Sequence, residues 1–108
     1  SSLSGHRIGP DGGLYSATKF AVTAITETLR RELVACNRKI KVSQISPGLV
    51  ETNFHQNYYG SDETVGALYQ NFAPLDADNI ADAVSYLISQ PNNVHINDIL
   101  LRPVKQPL

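Results

Sequence analysis

One uninterrupted stretch, from Gly13 to Cys36, constrains the fold of this chain more than any other. It lacks proline and repeats apolar residues at helical spacing, so it predicts a long α-helix that stops near Asn37. The residues of the apolar stripe are Ala17, Ala21, Ala24, Ile25, Leu29 and Leu33. We expect this stripe to face a β-sheet, and apolar residues beside it suggest burial on a second side.

Tyr15 and Lys19 stand four residues apart at the start of this helix, which places the phenol and the ammonium on one face. A phenol has a pKa of about 10, and a nearby cation lowers that value toward the range useful for proton transfer. The hydroxyl of Ser2, in the segment before the helix, can donate a hydrogen bond to a substrate oxygen. These residue types predict an alcohol–carbonyl redox site. A packing role for the tyrosine remains the alternative, because Tyr-x-x-x-Lys is a loose pattern.

The segment from Gly5 to Gly13 is rich in turn-forming residues and is predicted to be a loop that borders the substrate. His6 and Arg7 in this loop either contact a ligand or are exposed loop residues. The sequence leaves both readings open.

A short strand is predicted from Ile40 to Ile45, closed by Pro47 and Gly48. The glycine lets the backbone approach a ligand closely, and loops that follow parallel strands are the usual binding places in α/β sheets. Thr52 adds a hydroxyl to this loop. A Pro-Gly pair is otherwise only a turn.

The second half of the chain predicts two more helices and a second strand. The stretch from Asn53 to Ala73 is rich in aromatic residues, and a helix is predicted to start in it after Ser61. The aromatic residues predict a segment that covers a hydrophobic substrate, although an aromatic stripe at helical spacing is also typical of a hydrophobic core. His55 receives no role. Asp76 caps an amphipathic helix that reaches Ser89, and Val94 to Leu101 predicts the strand.

Composition excludes several functional classes. The net charge is −1 and the nine basic residues are scattered, so we expect no nucleic-acid partner. A single cysteine suits a reducing compartment, and no secretory signal or apolar span is visible, so we expect a cytoplasmic protein without a membrane span. The three histidines lack ligand spacing, so we expect no metal site.

Three motifs, in order, resemble the short-chain dehydrogenase/reductase family. They are the SLSG segment from Ser2, the YSATK segment from Tyr15 to Lys19, and the SPGLVET segment from Ser46 to Thr52. The resemblance implies that Ser2, Tyr15 and Lys19 are catalytic. It also implies that Tyr15, Lys19, Pro47, Gly48 and Thr52 contact an NADP cofactor, or NAD. The residue sequences of the motifs are most similar to those of the farnesol dehydrogenase and hydroxysteroid (3-ketosteroid) reductase branch. This resemblance implies a farnesol-like or steroid alcohol or ketone as substrate.

The same resemblance implies that residues 1–108 are the C-terminal portion of a doubly wound, Rossmann-like α/β domain with a parallel sheet, whose long helix helps to build a homodimer or homotetramer. No two of the seven glycines are separated by a single residue, so the Gly-x-Gly core of the dinucleotide fingerprint is absent. We therefore expect this stretch alone to be poorly folded and inactive. A truncated, non-catalytic chain that associates with other subunits and a fatty-acid-type oxoacyl reductase are the alternatives.

Overall fold

A computed structural model describes residues 1–10 and 12–107. Within these residues the chain forms four α-helices and two β-strands, preceded by a short 3₁₀ helix at Leu3–Gly5. In chain order the elements are α1 (Gly13–Ala35), β1 (Gln44–Pro47), α2 (Asn53–Tyr59), α3 (Asp62–Phe72), α4 (Ala77–Ser89) and β2 (Asp98–Leu101). The fold is therefore α/β, as predicted.

The two strands run parallel, with Gln44 opposite Asp98 at one end and Pro47 opposite Leu101 at the other. Helices α2 to α4 form the crossover that a parallel pair requires. On the other flank of β1, the backbone nitrogen of Ser1 donates a hydrogen bond to the carbonyl oxygen of Ile45 at 2.9 Å. The segment that carries Ser2 is thus held beside the carboxyl end of β1.

Three predicted helices are confirmed, and their ends follow capping chemistry. The Ser61 hydroxyl accepts a hydrogen bond from the Thr64 amide at 3.2 Å where α3 begins. At the start of α4, the Asn79 side-chain oxygen accepts one from the Asp76 amide at 2.9 Å, which completes a capping box. Helix α1 stops where Asn37 turns left-handed, with φ of 52°.

The predicted strand boundaries are wrong. Strand β1 begins at Gln44, and the preceding residues pair through side chains instead of a backbone ladder. The Nε2 atom of His95 donates to the Val42 carbonyl at 2.7 Å, and the Ser43 hydroxyl donates to the Ile96 carbonyl at 2.6 Å. Helix α2 was not predicted, because its seven residues are too few to show a periodic pattern.

The expectation that the apolar stripe of α1 faces the sheet is also wrong. Ile25 is 66% exposed and Leu29 is 44% exposed, whereas the inward residues are small or polar, with Ser16 fully buried. The helix lies close to the 3₁₀ helix, since a Cβ added to Gly5 would lie 2.9 Å from the carbonyl oxygen of Lys19. Small and polar side chains fit such a close contact, and the apolar side is left outward.

The chain buries little apolar surface of its own. Among the described residues, the buried hydrophobic side chains are Leu3, Leu49 and Val65. The radius of gyration is 15.7 Å, compared with about 13 Å for a compact domain of this length. No helix in residues 1–10 and 12–107 combines the length and apolar character needed to cross a membrane.

Candidate active site

Several segments of the chain surround one cavity of about 570 Å³. They include the 3₁₀ helix with its preceding serines, the start of α1, and the loop that leaves β1. The six residues that the sequence singled out as catalytic or cofactor-binding all line this cavity. They are Ser2, Tyr15, Lys19, Pro47, Gly48 and Thr52.

Tyr15 and Lys19 lie on the same face of α1, as their spacing predicts. The ammonium nitrogen of Lys19 lies 5.3 Å from the centroid of the Tyr15 ring, which is within the range of a cation–π contact. Both side chains are half-buried at the cavity wall. A positive charge is therefore held beside the phenol at a place that a ligand can reach.

Ser2 is fixed by the turn that it begins. Its backbone is extended, and its hydroxyl oxygen accepts a hydrogen bond from the Ser4 amide at 3.1 Å. The amide of Gly5 donates to the Ser2 carbonyl at 2.9 Å and closes the turn. Because the cap uses the hydroxyl as an acceptor, its proton stays available for donation to a ligand oxygen.

The loop from Pro47 to Thr52 is held from two sides by backbone hydrogen bonds. The Gly48 amide donates to the Leu101 carbonyl at 2.7 Å, which extends the β1–β2 ladder by one residue. On the other side, the Leu75 amide donates to the Leu49 carbonyl at 2.9 Å, and the Glu51 amide donates to the Leu75 carbonyl at 2.8 Å. The loop therefore presents a fixed backbone to the cavity.

Gln106, which sequence reasoning missed, also lines the cavity. Its side-chain oxygen accepts a hydrogen bond from the Leu49 amide at 2.9 Å, and its own carbonyl accepts one from the Arg102 guanidinium at 2.6 Å. No pattern in the sequence marks this glutamine, because it lies beyond the last strand and 57 residues from its partner.

The hydroxyl of Thr52 caps a helix. It accepts a hydrogen bond from the Phe54 amide at 3.3 Å where α2 begins. The Tyr69 hydroxyl accepts a hydrogen bond from the Thr52 amide at 3.3 Å and lies 3.2 Å from the Thr52 carbonyl oxygen. Tyr69 thereby ties α3 to the end of the loop.

Aromatic rings from α2 form the outer wall next to Tyr15. The Phe54 and Tyr58 rings lie 6.0 and 5.9 Å from the Tyr15 ring, and they stack on each other with centroids 6.1 Å apart. Tyr59 and Leu68 add to this wall. The wall is apolar and partly exposed, which suits a hydrophobic ligand.

His55 lies between this wall and α3. Its ring packs edge-on against Tyr69 at 5.8 Å, and its Nδ1 atom lies 3.4 Å from the Tyr69 hydroxyl. Burial lowers the pKa of His55 below its ordinary value, and a hydrogen bond with the Val50 backbone partly opposes that effect. No pattern in the sequence indicated that this histidine lines the cavity.

His6 points away from the cavity. Its Nε2 atom lies 2.7 Å from the carboxylate of Asp98 and 3.1 Å from the Ser46 hydroxyl, so its partners are on the sheet. Arg7 is exposed. Within residues 1–10 and 12–107, no group of three or more His, Cys, Asp or Glu residues is placed to hold a metal ion.

The cavity can be tested for its fit to a nicotinamide group. Gly48 offers bare backbone at the wall, and a Cβ there would lie 2.7 Å from the Cβ of Arg102. The Ser16 hydroxyl is buried at the cavity wall without a hydrogen-bond partner among the described residues. These features fit a flat, polar ring with donors and acceptors at its edge. The phosphate-binding glycine pattern is not in this chain, so the fit concerns the nicotinamide end only.

Comparison with known proteins places these features in context. A family model described as short chain dehydrogenase matches residues 1–63. Dehydrogenase/reductase SDR family member 11 from Gallus gallus is 44% identical over 108 residues, which cover 97% of this chain and 42% of that protein. The corresponding protein from Homo sapiens is likewise 44% identical, with the same coverage. The chain spans less than half the length of these relatives.

Solved structures show the same fold. The closed form of serine dehydrogenase complexed with NADP+ has a TM-score of 0.90 and 31% identity, and it covers 100% of this chain and 44% of its own. An alcohol dehydrogenase from Thermococcus sibiricus complexed with 5-hydroxy-NADP has a TM-score of 0.74 and 28% identity, with coverage of 99% and 41%. The α/β architecture is therefore Rossmann-like, as predicted.

Proposed function

Because this chain belongs to the short-chain dehydrogenase family, we propose that it is the catalytic part of an NAD(P)-dependent oxidoreductase that interconverts an alcohol and a carbonyl compound. The observation that carries the proposal is the meeting of Ser2, Tyr15, Lys19 and the Pro47–Thr52 loop around one cavity. A tyrosine that served only in packing would not need a cation, a serine and an exposed backbone around the same space.

The proposed cofactor is NADP, with NAD as the second choice. Two of the solved structures that are similar to this chain are complexed with NADP+ and with 5-hydroxy-NADP. When bound, the nicotinamide would supply or accept the hydride. The residues fitted to hold it are Tyr15, Lys19, Pro47, Gly48 and Thr52, all at the cavity wall. The dinucleotide-binding half would lie in a part of the whole protein outside these residues.

In this proposal the side chains handle the proton and the substrate oxygen. The Ser2 hydroxyl donates a hydrogen bond to that oxygen, and the Tyr15 phenol gives its proton to it or takes one from it. The Lys19 ammonium, 5.3 Å from the phenol ring, stabilises the negative charge that develops on the phenolate. In the same position it can hold the ribose hydroxyls of the cofactor.

The proposed substrate is a hydrophobic alcohol or ketone of the farnesol-like or steroid kind. The support is the apolar aromatic wall of Phe54, Tyr58, Tyr59 and Leu68 beside the phenol. A small polar substrate would leave these rings exposed to water in the complex. An oxoacyl thioester is the alternative within the same chemistry, and a 3-oxoacyl-carrier-protein reductase is among the similar solved structures.

We also propose that the whole protein is a homodimer or homotetramer in the cytoplasm. The support for association is the outward apolar face of α1, which includes Ile25 and Leu29. This face equally suits the alternative that the chain acts through association without catalysis. Turnover separates the two readings, because association alone would transfer no hydride.

The test is an assay of the purified whole protein with NADPH and three carbonyl compounds, namely farnesal, a 3-ketosteroid and an acetoacetyl thioester. We expect consumption of NADPH with farnesal or the steroid. A preference for the thioester would favour the oxoacyl reductase. No turnover with any carbonyl compound, in a folded protein that binds no dinucleotide, would reject the proposed function and favour the association reading.

A further inference from the structure

We propose that Gln106 is a positioning residue that fixes the Pro47–Thr52 loop, the loop proposed to contact the cofactor, through the backbone amide of Leu49. This inference rests on the proposed function, because the loop matters for turnover only if it contacts a cofactor. The structural part, that Gln106 fixes the loop, stands on contacts within the chain.

Leu49 is bound at both of its backbone polar groups. Its amide donates to the side-chain oxygen of Gln106 at 2.9 Å, and its carbonyl accepts from the Leu75 amide at 2.9 Å. The neighbouring Gly48 amide is bound to Leu101. Of these bonds, the one to Gln106 alone comes from a side chain, so a single substitution can remove it without a change in backbone pairing.

Gln106 is itself held in place. The Arg102 guanidinium donates to the backbone carbonyl of Gln106 at 2.6 Å, and the backbone N–H of Gln106 donates to the Pro103 carbonyl at 3.0 Å. Pro103 is buried, so the turn from Pro103 to Gln106 is anchored at its base. The backbone of Gln106 is therefore fixed next to the loop, and its side chain reaches the Leu49 amide from there.

The close approach of Arg102, with Gln106 beside it, explains why residue 48 lacks a side chain. A Cβ at Gly48 would collide with the Gln106 side-chain oxygen and lie 2.7 Å from the Arg102 Cβ. Gln106 therefore lies directly against the Pro47–Thr52 loop, and both line the cavity. Leu49 is buried, and its amide would lose its hydrogen-bond partner within the chain if the glutamine oxygen were removed.

The experiment compares three variants of the whole protein. Gln106→Leu removes the acceptor and keeps a similar length. Gln106→Glu keeps an acceptor oxygen. Lys105→Ala, at an exposed neighbour in the same turn, is the matched control. The readouts are amide hydrogen exchange at Leu49, the melting temperature, and the KM for NADPH against kcat.

We expect Gln106→Leu to speed exchange at Leu49 and to raise the KM for NADPH by about tenfold, with kcat changed less than about threefold, the scale of one lost hydrogen bond. Gln106→Glu should restore both values to within about threefold of the parent. Lys105→Ala should change neither.

Unchanged exchange at Leu49 and unchanged KM in Gln106→Leu would overturn the proposal. A raised KM that tracks a general loss of folding, with faster exchange throughout the sheet, would also overturn it, because that result indicates a purely structural residue. If the parent itself binds no dinucleotide, the proposed function fails, and exchange at Leu49 then decides the positioning role by itself.

Discussion

The imidazole of His6 lies 2.7 Å from the carboxylate of Asp98, and this contact joins the segment that carries Ser2 to strand β2. The same carboxylate accepts hydrogen bonds from the Ser46 hydroxyl at 2.8 Å and from the side-chain amide nitrogen of Gln44 at 2.6 Å. Ser46 is followed directly by Pro47. The network therefore links the segment that carries Ser2 to the start of the Pro47–Thr52 loop.

We expect His6→Ala to lower the free energy of unfolding of the whole protein by about 1–3 kcal/mol, because the half-buried carboxylate loses one of its hydrogen-bond donors. Urea unfolding measures this change. Arg7→Ala, at the exposed neighbour, should change it by less than about 0.5 kcal/mol. Equal effects of the two substitutions would contradict the assigned network.

A comparison of Gly48 with Gly66 tests whether neighbouring atoms leave no room for a side chain in the Pro47–Thr52 loop. Gly48→Ala should destabilise the protein and weaken NADPH binding, because the added methyl group meets Gln106 and Arg102. Nothing lies within 4 Å of a Cβ at Gly66 in α3, so Gly66→Ala should stabilise that helix, by up to about 1 kcal/mol. Thermal melts and cofactor titration of both variants test the contrast, which fails if Gly48→Ala is as harmless as Gly66→Ala.

The environment of His55 predicts a pH dependence. Burial lowers its pKa in the folded protein below the ordinary value of 6.5, so the unfolded chain takes up this proton first as the pH falls. Its contribution to stability is complete above pH 6.5 and is lost as the pH falls from that value to the lower folded pKa. His55→Phe should flatten melting temperature against pH over that interval. If the melting temperature of the variant falls with pH as steeply as that of the parent, the loss of stability at low pH belongs to other titratable groups.

The outward face of α1 predicts association. Ile25→Glu should convert an oligomer of the whole protein to a smaller species in sedimentation, because it places a charge in an apolar contact. Ser85→Glu, at an exposed position of α4 and not of α1, is the control and should leave the assembly intact. A parent protein that sediments as a monomer would reject the proposed interface.

The sequence predicts the helices well because their signals are local. Ser61 and Asp76 cap α3 and α4, and Asn37 follows the end of α1, where each was expected. Capping depends on bonds over three or four residues, so the order of residues alone reveals it. The same reasoning places Tyr15 and Lys19 on one face without knowledge of the fold.

The buried and exposed faces of the helices, and the contacts between residues far apart in sequence, could not be predicted in the same way. The apolar stripe of α1 turned outward because the contact at Gly5 is too close for large side chains, which is a property of two packed segments and not of either one. Strand β1 starts late because His95 and Ile96, some fifty positions on, bind the residues before it. Gln106 and His55 carry no local pattern for the same reason.

Replacement of Tyr15 by phenylalanine tests the central claim most directly, because it removes one hydroxyl and keeps the ring against Phe54 and Tyr58. We expect Tyr15→Phe in the whole protein to lose at least about a hundredfold in kcat for carbonyl reduction, the usual contribution of a positioned acid, while NADPH affinity changes less than about threefold. Tyr86→Phe, at an exposed tyrosine of α4, should keep full activity. A Tyr15→Phe enzyme as active as the Tyr86→Phe control would contradict the assignment of Tyr15 as the proton donor.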